Sequence, residues 1–147
     1  MAIGPITREL AVPRAVDWLW AMVSDSHGLK MWLCDEAEVE RRAGGRIALS
    51  WHEFGTFTGL VEAVEPHHRF SFRWMAPAGQ RPRAGNSTRV EMLLAGDPNV
   101  TRLKLTESGF GDLPVSEDRK AIFVRENSLG WDHALANLRR LAGGREH

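Results

Sequence analysis

A chain of 147 residues with 43% hydrophobic and 26% charged side chains has the composition of one globular unit around one core, which excludes a disordered or low-complexity chain. Its 19 basic residues balance 19 acidic ones, removing the global attraction that non-specific binding to nucleic acid or an anionic membrane needs. The single cysteine, Cys34, excludes an internal disulfide and any metal site built on paired cysteines, and its apolar neighbourhood reads as a small core residue.

The opening "MAIGPITREL" lacks a basic segment followed by an apolar one, and no apolar run approaches the roughly 18 residues of a membrane span, so a cytoplasmic protein is expected. Ile6, Arg8, Leu10 and Val12 alternate as in a strand, which Pro13 stops. A helix is expected over about residues 14–23, with Val16, Leu19, Trp20 and Val23 on one face. Ser24, Asp25 and Ser26 break that pattern and can cap a second short helix ending near Trp32. From Ala37 the period changes to two, predicting strands near residues 37–42, 46–52, 56–65, 69–75, 88–95 and 100–107, separated by Gly, Pro and Asn-rich breaks. Their short connections predict antiparallel pairing, since parallel strands need long crossovers. Asn86-Ser87-Thr88 and Asn99-Val100-Thr101 match a glycosylation sequon but read as turn chemistry. After Pro114, Ser116 is a plausible N-cap for a long helix that stops before Gly143-Gly144, with Phe123, Asn127, Trp131, Leu135 and Leu138 on one face.

This order predicts an α+β fold for residues 1–147 as a single domain: a seven-stranded curved antiparallel sheet gripping a long C-terminal helix, with two short helices after the first strand. The space between sheet and helix is the natural ligand site.

Several stretches carry a resemblance in order and spacing: "LWAMVSDSHGLKMWL", "RRAGGRI", "WHEFGTFTGLVEAVEPHHRFSFRW", "TRLKLTESGF" and "NSLGWDHALANL". Together they resemble the START-like, helix-grip superfamily often labelled SRPBCC, and within it the family named after the activator of the heat-shock protein 90 ATPase. No single motif is specific; the ordered set is. The superfamily includes lipid and hormone carriers, polyketide cyclases, antibiotic self-resistance proteins and a co-chaperone domain, so the fold alone does not choose a function. A chaperone partner is disfavoured, because the eukaryotic co-chaperone carries a further N-terminal domain and this chain begins directly at the first strand. A homodimer is left open.

Alternation places Ile47, Leu49 and Trp51, then Phe70, Phe72 and Trp74, then Val90, Met92 and Leu94, then Leu103 and Leu105 on one sheet face. With Phe110, Phe123 and Trp131 these form an aromatic-rich interior, readable as a filled core or as walls for a planar ligand. One more step of the last alternation turns Glu107 inward. A buried carboxylate needs partners, and the candidates are Asn127 and Trp131 on the facing helix, or His52 if its strand twists. Glu107 then reads as a polar anchor for an apolar ligand, as an acid or base in a cyclase- or hydrolase-type reaction, or as a strand end bonding the following loop.

The candidate ligand-binding set is Trp51, Phe72, Trp74, Met92, Leu105, Glu107, Phe110, Phe123, Asn127 and Trp131, with Glu107 the sole catalytic candidate. A small hydrophobic or aromatic molecule is the expected partner, and a binding protein is favoured over an enzyme. Neither a metal nor another cofactor is expected: His67-His68 lie in a solvated turn and point apart, His52-Glu53 is no HExxH motif, and His133 lacks a ligand partner in register. Arg73, Arg89 and Arg102 are expected on the outer face, interleaved with Glu62, Glu65 and Glu91, which argues against nucleic-acid binding. The chain carries neither a phosphate-binding glycine loop nor a GxSxG elbow.

Overall fold

The computed structural model describes residues 3–143. The period-two segments form strands β1 (Ile6–Val12), β2 (Glu36–Val39), β3 (Arg46–Trp51), β4 (Gly55–Glu65), β5 (Arg69–Trp74), β6 (Thr88–Gly96) and β7 (Thr101–Ser108). The helical segments form α1 (Val16–Ser24), α2 (Ser26–Trp32) and α3 (Glu117–Gly143), with a 3-10 turn at Phe110–Asp112. All seven strands join one antiparallel sheet in the order β1-β7-β6-β5-β4-β3-β2, so β2 to β7 meander and β1 closes on the far side of β7.

Most boundaries lie within two residues of expectation, and two differences have a visible cause or bear on a turn. The strand expected over residues 37–42 spans only Glu36–Val39, because Glu40 folds back on β3: its carboxylate accepts the Arg46 N–H at 2.7 Å and its carbonyl accepts the Arg42 N–H at 2.8 Å. That turn consumes the backbone groups a longer strand would pair. The last helix runs through Gly143 rather than stopping before it, and Gly144 lies outside the described residues. Its start is as expected, with Ser116 Oγ accepting the Arg119 N–H at 3.2 Å.

One sheet face carries the core. Val61, Phe70, Phe72, Val90, Met92, Leu103 and Leu105 are buried there together with Trp131, Leu135 and Leu138 of α3. Trp20 of α1 meets the Phe70 ring edge-on at 6.4 Å. On edge strand β1, Arg8 shares the inner face with Ile6 and Leu10, and its Nε donates to Asp132 of α3 at 2.6 Å, fastening helix to sheet. The β4–β5 turn is exposed as expected, and within it His67 Nε2 lies 3.0 Å from Asp17 Oδ1 of α1. Cys34 is buried as expected, and burial pushes its thiol up to about 12, far from a reactive thiolate.

On the outer face Glu62 accepts from Arg73 at 2.9 Å and from Arg89 at 2.7 Å, the interleaving the alternation predicted. Burial raises the Glu62 carboxyl, but the hydrogen bonds from Arg89 and Arg73 outweigh it and hold the group below its ordinary value of 4.5. A pKa lower in the folded than in the unfolded chain gives stability that is present above the unfolded value and lost as pH falls through the folded one. Glu62→Gln is therefore expected to lower the melting temperature at neutral pH. The gap to the parent protein should close in acid, and thermal melts showing a pH-independent gap would refute the pairing as its cause.

Candidate functional site

The site begins at the C-terminal end of β7, where the register sets Glu107 opposite Val90 of β6 and Ile6 of β1. Alternation turns its side chain into the core, where it has no exposed surface. The carboxylate is then met by donors from three separate elements. Oε2 accepts from Trp74 Nε1 of β5 at 2.8 Å and from Thr88 Oγ1 of β6 at 2.6 Å. Oε1 accepts from Trp131 Nε1 of α3 at 2.8 Å, and the Asn127 amide, also on α3, reaches both oxygens at 3.1 and 3.2 Å.

Indole and amide nitrogens can only donate, so this surround matches an acceptor-only carboxylate. The donors are all uncharged. The guanidinium groups of Arg73 and Arg89 serve Glu62 on the opposite face, and Lys120 bonds the Gly111 carbonyl at 2.7 Å. Glu107 is thus paired by neutral dipoles alone, and it binds the end of the sheet to the middle of α3.

An aromatic wall continues from this cluster. Trp74 packs against Phe72 at 5.6 Å, Trp51 at 6.0 Å, Phe57 at 6.2 Å and Trp131 at 6.2 Å between ring centroids. Phe57 pairs with Leu49 across β3 and β4 and so faces the inner side, yet it remains 37% exposed. On the facing helix Phe123 and Asn127 are only half-buried. Met75, directly after β5, adopts the left-handed φ of 71° that non-glycine residues rarely take, and its sulfur lies 3.2 Å from the Asn127 amide. The wall is therefore closed at Glu107 and less covered toward Phe57 and Phe123.

The expected site residues divide accordingly. Trp74, Glu107, Asn127 and Trp131 come together in one hydrogen-bonded set, with Phe72 and Trp51 joined through ring contacts; the Trp51 indole is itself tied to the Leu33 carbonyl at 2.9 Å. Phe72, Met92, Leu105 and Phe110 have no exposed surface and sit in the core. Phe123 lies at the margin, under the Arg119 guanidinium at 5.2 Å. His52 is not a partner of Glu107: it is exposed, and its ring lies 3.6 Å from the Asp35 carboxylate. The expectation had rested on a twist of β3 that does not occur, since the strand ends at Trp51.

Two residues escaped the sequence reading. Thr88 gives the shortest bond to Glu107, and extending the Val90, Met92, Leu94 alternation one step back would have found it, as the forward step found Glu107. Phe57 was missed because β4 is punctuated by glycine and threonine and shows little apolar alternation. Thr88→Val keeps the shape and removes the hydroxyl, so it should cost about 1–2 kcal/mol and lower the melting temperature by roughly 3–6 °C. An unchanged melt would show that the hydroxyl contributes nothing to the cluster.

Glu107, Phe72, Met92, Leu105 and Phe110 are closed off from solvent. Two shallow depressions lie elsewhere: one of about 210 Å³ between β1 and α3, lined by Arg8, Leu10, Asp132 and Arg139, and one of about 240 Å³ lined by Glu40, Arg46, Thr58 and Arg81. Among the described residues no cluster of His, Cys, Asp or Glu is arranged to hold a metal ion, and no helix is long and apolar enough to cross a membrane.

Residues 13–143 match the family described as Activator of Hsp90 ATPase homolog 1-like protein. The chain belongs to that family. Its helix-grip architecture is shared with solved structures at low identity. Protein MLL2253 from Mesorhizobium loti aligns with a TM-score of 0.77 at 22% identity, over 97% of this chain and 99% of that one. The solution structure of the Aha1 dimer from Colwellia psychrerythraea aligns with a TM-score of 0.75 at 16% identity, over 95% and 96%. PFC0360w, described as an HSP90 activator from Plasmodium falciparum, aligns with a TM-score of 0.72 at 19% identity, over 96% and 97%. No curated protein sequence matches the chain. In this member of the Hsp90-activator-like family, the Glu107 cluster ties together β5, β6, β7 and α3.

Proposed function

We propose that this protein binds a small apolar or aromatic molecule between the first half of α3 and the inner face of β3 to β5. The observation that carries this reading is the aromatic wall from Trp74 to Phe57, which runs from a fully buried carboxylate to a partly exposed inward-facing ring. Phe57 is the most exposed ring of that wall and marks the side from which a ligand would reach it. Because Glu107 has no exposed surface, a ligand reaches it by displacing the half-buried Phe123 and Asn127. Acid or base catalysis fits less well, since both oxygens of Glu107 accept hydrogen bonds from the protein's own donors and neither is exposed to a substrate.

A thermal-shift screen with lipids, sterols and aromatic polyketides tests the proposal, with tryptophan emission as a second readout because Trp74 and Trp131 border the site. A rise in melting temperature with a change in emission is expected for at least one class; a flat response across all three would overturn it.

The family assignment favours a second reading, stimulation of a chaperone ATPase through the surface. The description of the Plasmodium relative as an HSP90 activator supports testing it, and the dimer of the Colwellia relative supports measuring oligomeric state alongside. An Hsp90 homologue whose ATPase rate rises with this protein, whether or not a ligand is bound, would favour that reading over the first.

A further inference from the structure

Glu107 is a carboxylate with no exposed surface, and every group bonded to it is neutral. Neutral donors satisfy its lone pairs but leave its charge uncompensated in a poorly polarisable interior, where an opposite charge gains more than it would in water. The four donors are not equivalent. Trp74, Thr88 and Trp131 are buried and bond at 2.6–2.8 Å, the first two from the paired ends of β5 and β6 and the third from within α3. Asn127 is half-buried, and its one amide nitrogen is spread over two oxygens at 3.1 and 3.2 Å and a methionine sulfur at 3.2 Å. It is the weakest of the four and the only one of them that is not buried, one helical turn beyond the half-buried Phe123.

We propose that the ligand is a small aromatic molecule bearing a protonated amine, whose ammonium group replaces Asn127 as donor to Glu107. This rests on the binding site proposed above and specifies what it takes. The ammonium supplies the positive charge the cluster lacks, through a charge-assisted bond stronger than the amide bond it displaces. The aromatic body of the ligand lies along Trp51 and Phe57, which already pack edge to face at 5.7 Å. Displaced, Asn127 turns to solvent, which its half-buried position allows. An anionic ligand of the same shape meets an uncompensated carboxylate and is rejected.

Three probes of matched length separate these effects: 3-phenylpropylamine, 3-phenylpropan-1-ol and 3-phenylpropionate, titrated at neutral pH and followed by calorimetry and tryptophan emission. The amine should bind about tenfold or more tighter than the alcohol, and the propionate weakest of all. Glu107→Gln should abolish the preference for amine over alcohol while leaving the alcohol affinity within a few-fold. Asn127→Ala, which removes the competing donor, should tighten the amine by several-fold and leave the propionate unchanged; it serves as the deciding variant if Glu107→Gln is too unstable to titrate. If the alcohol binds as tightly as the amine, the amine proposal fails and the apolar site stands. If none of the three binds while a polyketide or sterol does, the same conclusion follows. If neither these probes nor the broader screen binds, both fall together.

Discussion

Glu107→Gln is expected to destabilise the protein by about 3 kcal/mol, a fall of roughly 6–12 °C in melting temperature for a chain of this length. The substitution changes almost no volume, so the cost comes from hydrogen-bond direction. A glutamine amide presents one acceptor and one donor group where the carboxylate presented two acceptors. If its nitrogen takes the Oε2 position it faces the Trp74 N–H, and if it takes the Oε1 position it faces the Trp131 N–H. Thr88 and Asn127 can each adapt, the first by turning its hydroxyl to accept and the second by flipping its amide. Neither indole can. One buried indole N–H is therefore left against another donor whichever rotamer forms, and a buried unsatisfied group of this kind carries its full desolvation penalty. Trp131→Phe relieves that conflict on one side, so in the Trp131→Phe background Glu107→Gln should cost measurably less than in the parent. A double-mutant cycle measures the coupling directly. If Glu107→Gln leaves the melting temperature within a degree of the parent, the donor set does not hold the carboxylate and the account of the cluster is wrong.

The cluster also shows how far a sequence carries this kind of reasoning. Strand alternation is local and strict, so Leu103 and Leu105 were enough to turn Glu107 inward, and helical spacing was enough to bring Asn127 and Trp131 to the facing side of α3. Those steps need only the two periodicities of 2 and 3.6. What alternation does not supply is the relation between strands that are distant in the chain. That Trp74 donates to Glu107, rather than merely lining the same wall, follows from the register that sets Trp74 opposite Thr88 and Val90 opposite Glu107. Register is fixed by turn geometry and by the whole inner face at once, and neither can be read at a single residue. The strand expected through residue 42 failed for a related reason. Arg41 and Arg42 fit an exposed strand as well as a turn, and the reversal at Glu40 depends on a bond to Arg46 that no pattern announces.

Function was less legible than fold for a different reason. Belonging to the Hsp90-activator-like family fixes the scaffold, and a scaffold by itself does not choose a function. The features that distinguish one function from another are a single carboxylate, the charge of its donors and the exposure of one phenylalanine. Of these, only the carboxylate is visible before the strands are assembled.

Gly28→Ala is expected to destabilise the protein by about 3 kcal/mol or more, although alanine is the better helix former by about 1 kcal/mol. Gly28 lies in α2 where that helix crosses α1, and a Cβ there would stand 2.2 Å from the Ala21 carbonyl oxygen and 2.7 Å from the Met22 Cα. Both are backbone atoms, so no side-chain rotation relieves the overlap and α2 must move bodily. Moving it strains the bond from the Trp32 indole to the Met22 carbonyl at 2.7 Å and the bond from the Val39 N–H to Ser26 Oγ at 2.9 Å, which fix α2 to α1 and to β2. Gly130 provides the control: it lies exposed within α3 with nothing within 4 Å of where a Cβ would sit, so Gly130→Ala should raise stability by up to about 1 kcal/mol through propensity alone. The opposite signs of the two substitutions in thermal melts would separate close helix crossing from helix propensity. Because the Glu107 cluster draws no residue from α1 or α2, Gly28→Ala should leave the preference for amine over alcohol unchanged at temperatures where the protein is folded, whereas Glu107→Gln should alter both stability and ligand preference. A loss of binding in folded Gly28→Ala would mean that the packing of α2 on α1 and α3 governs access to the site, and the assignment of the site to α3 and β3 to β5 alone would have to be abandoned.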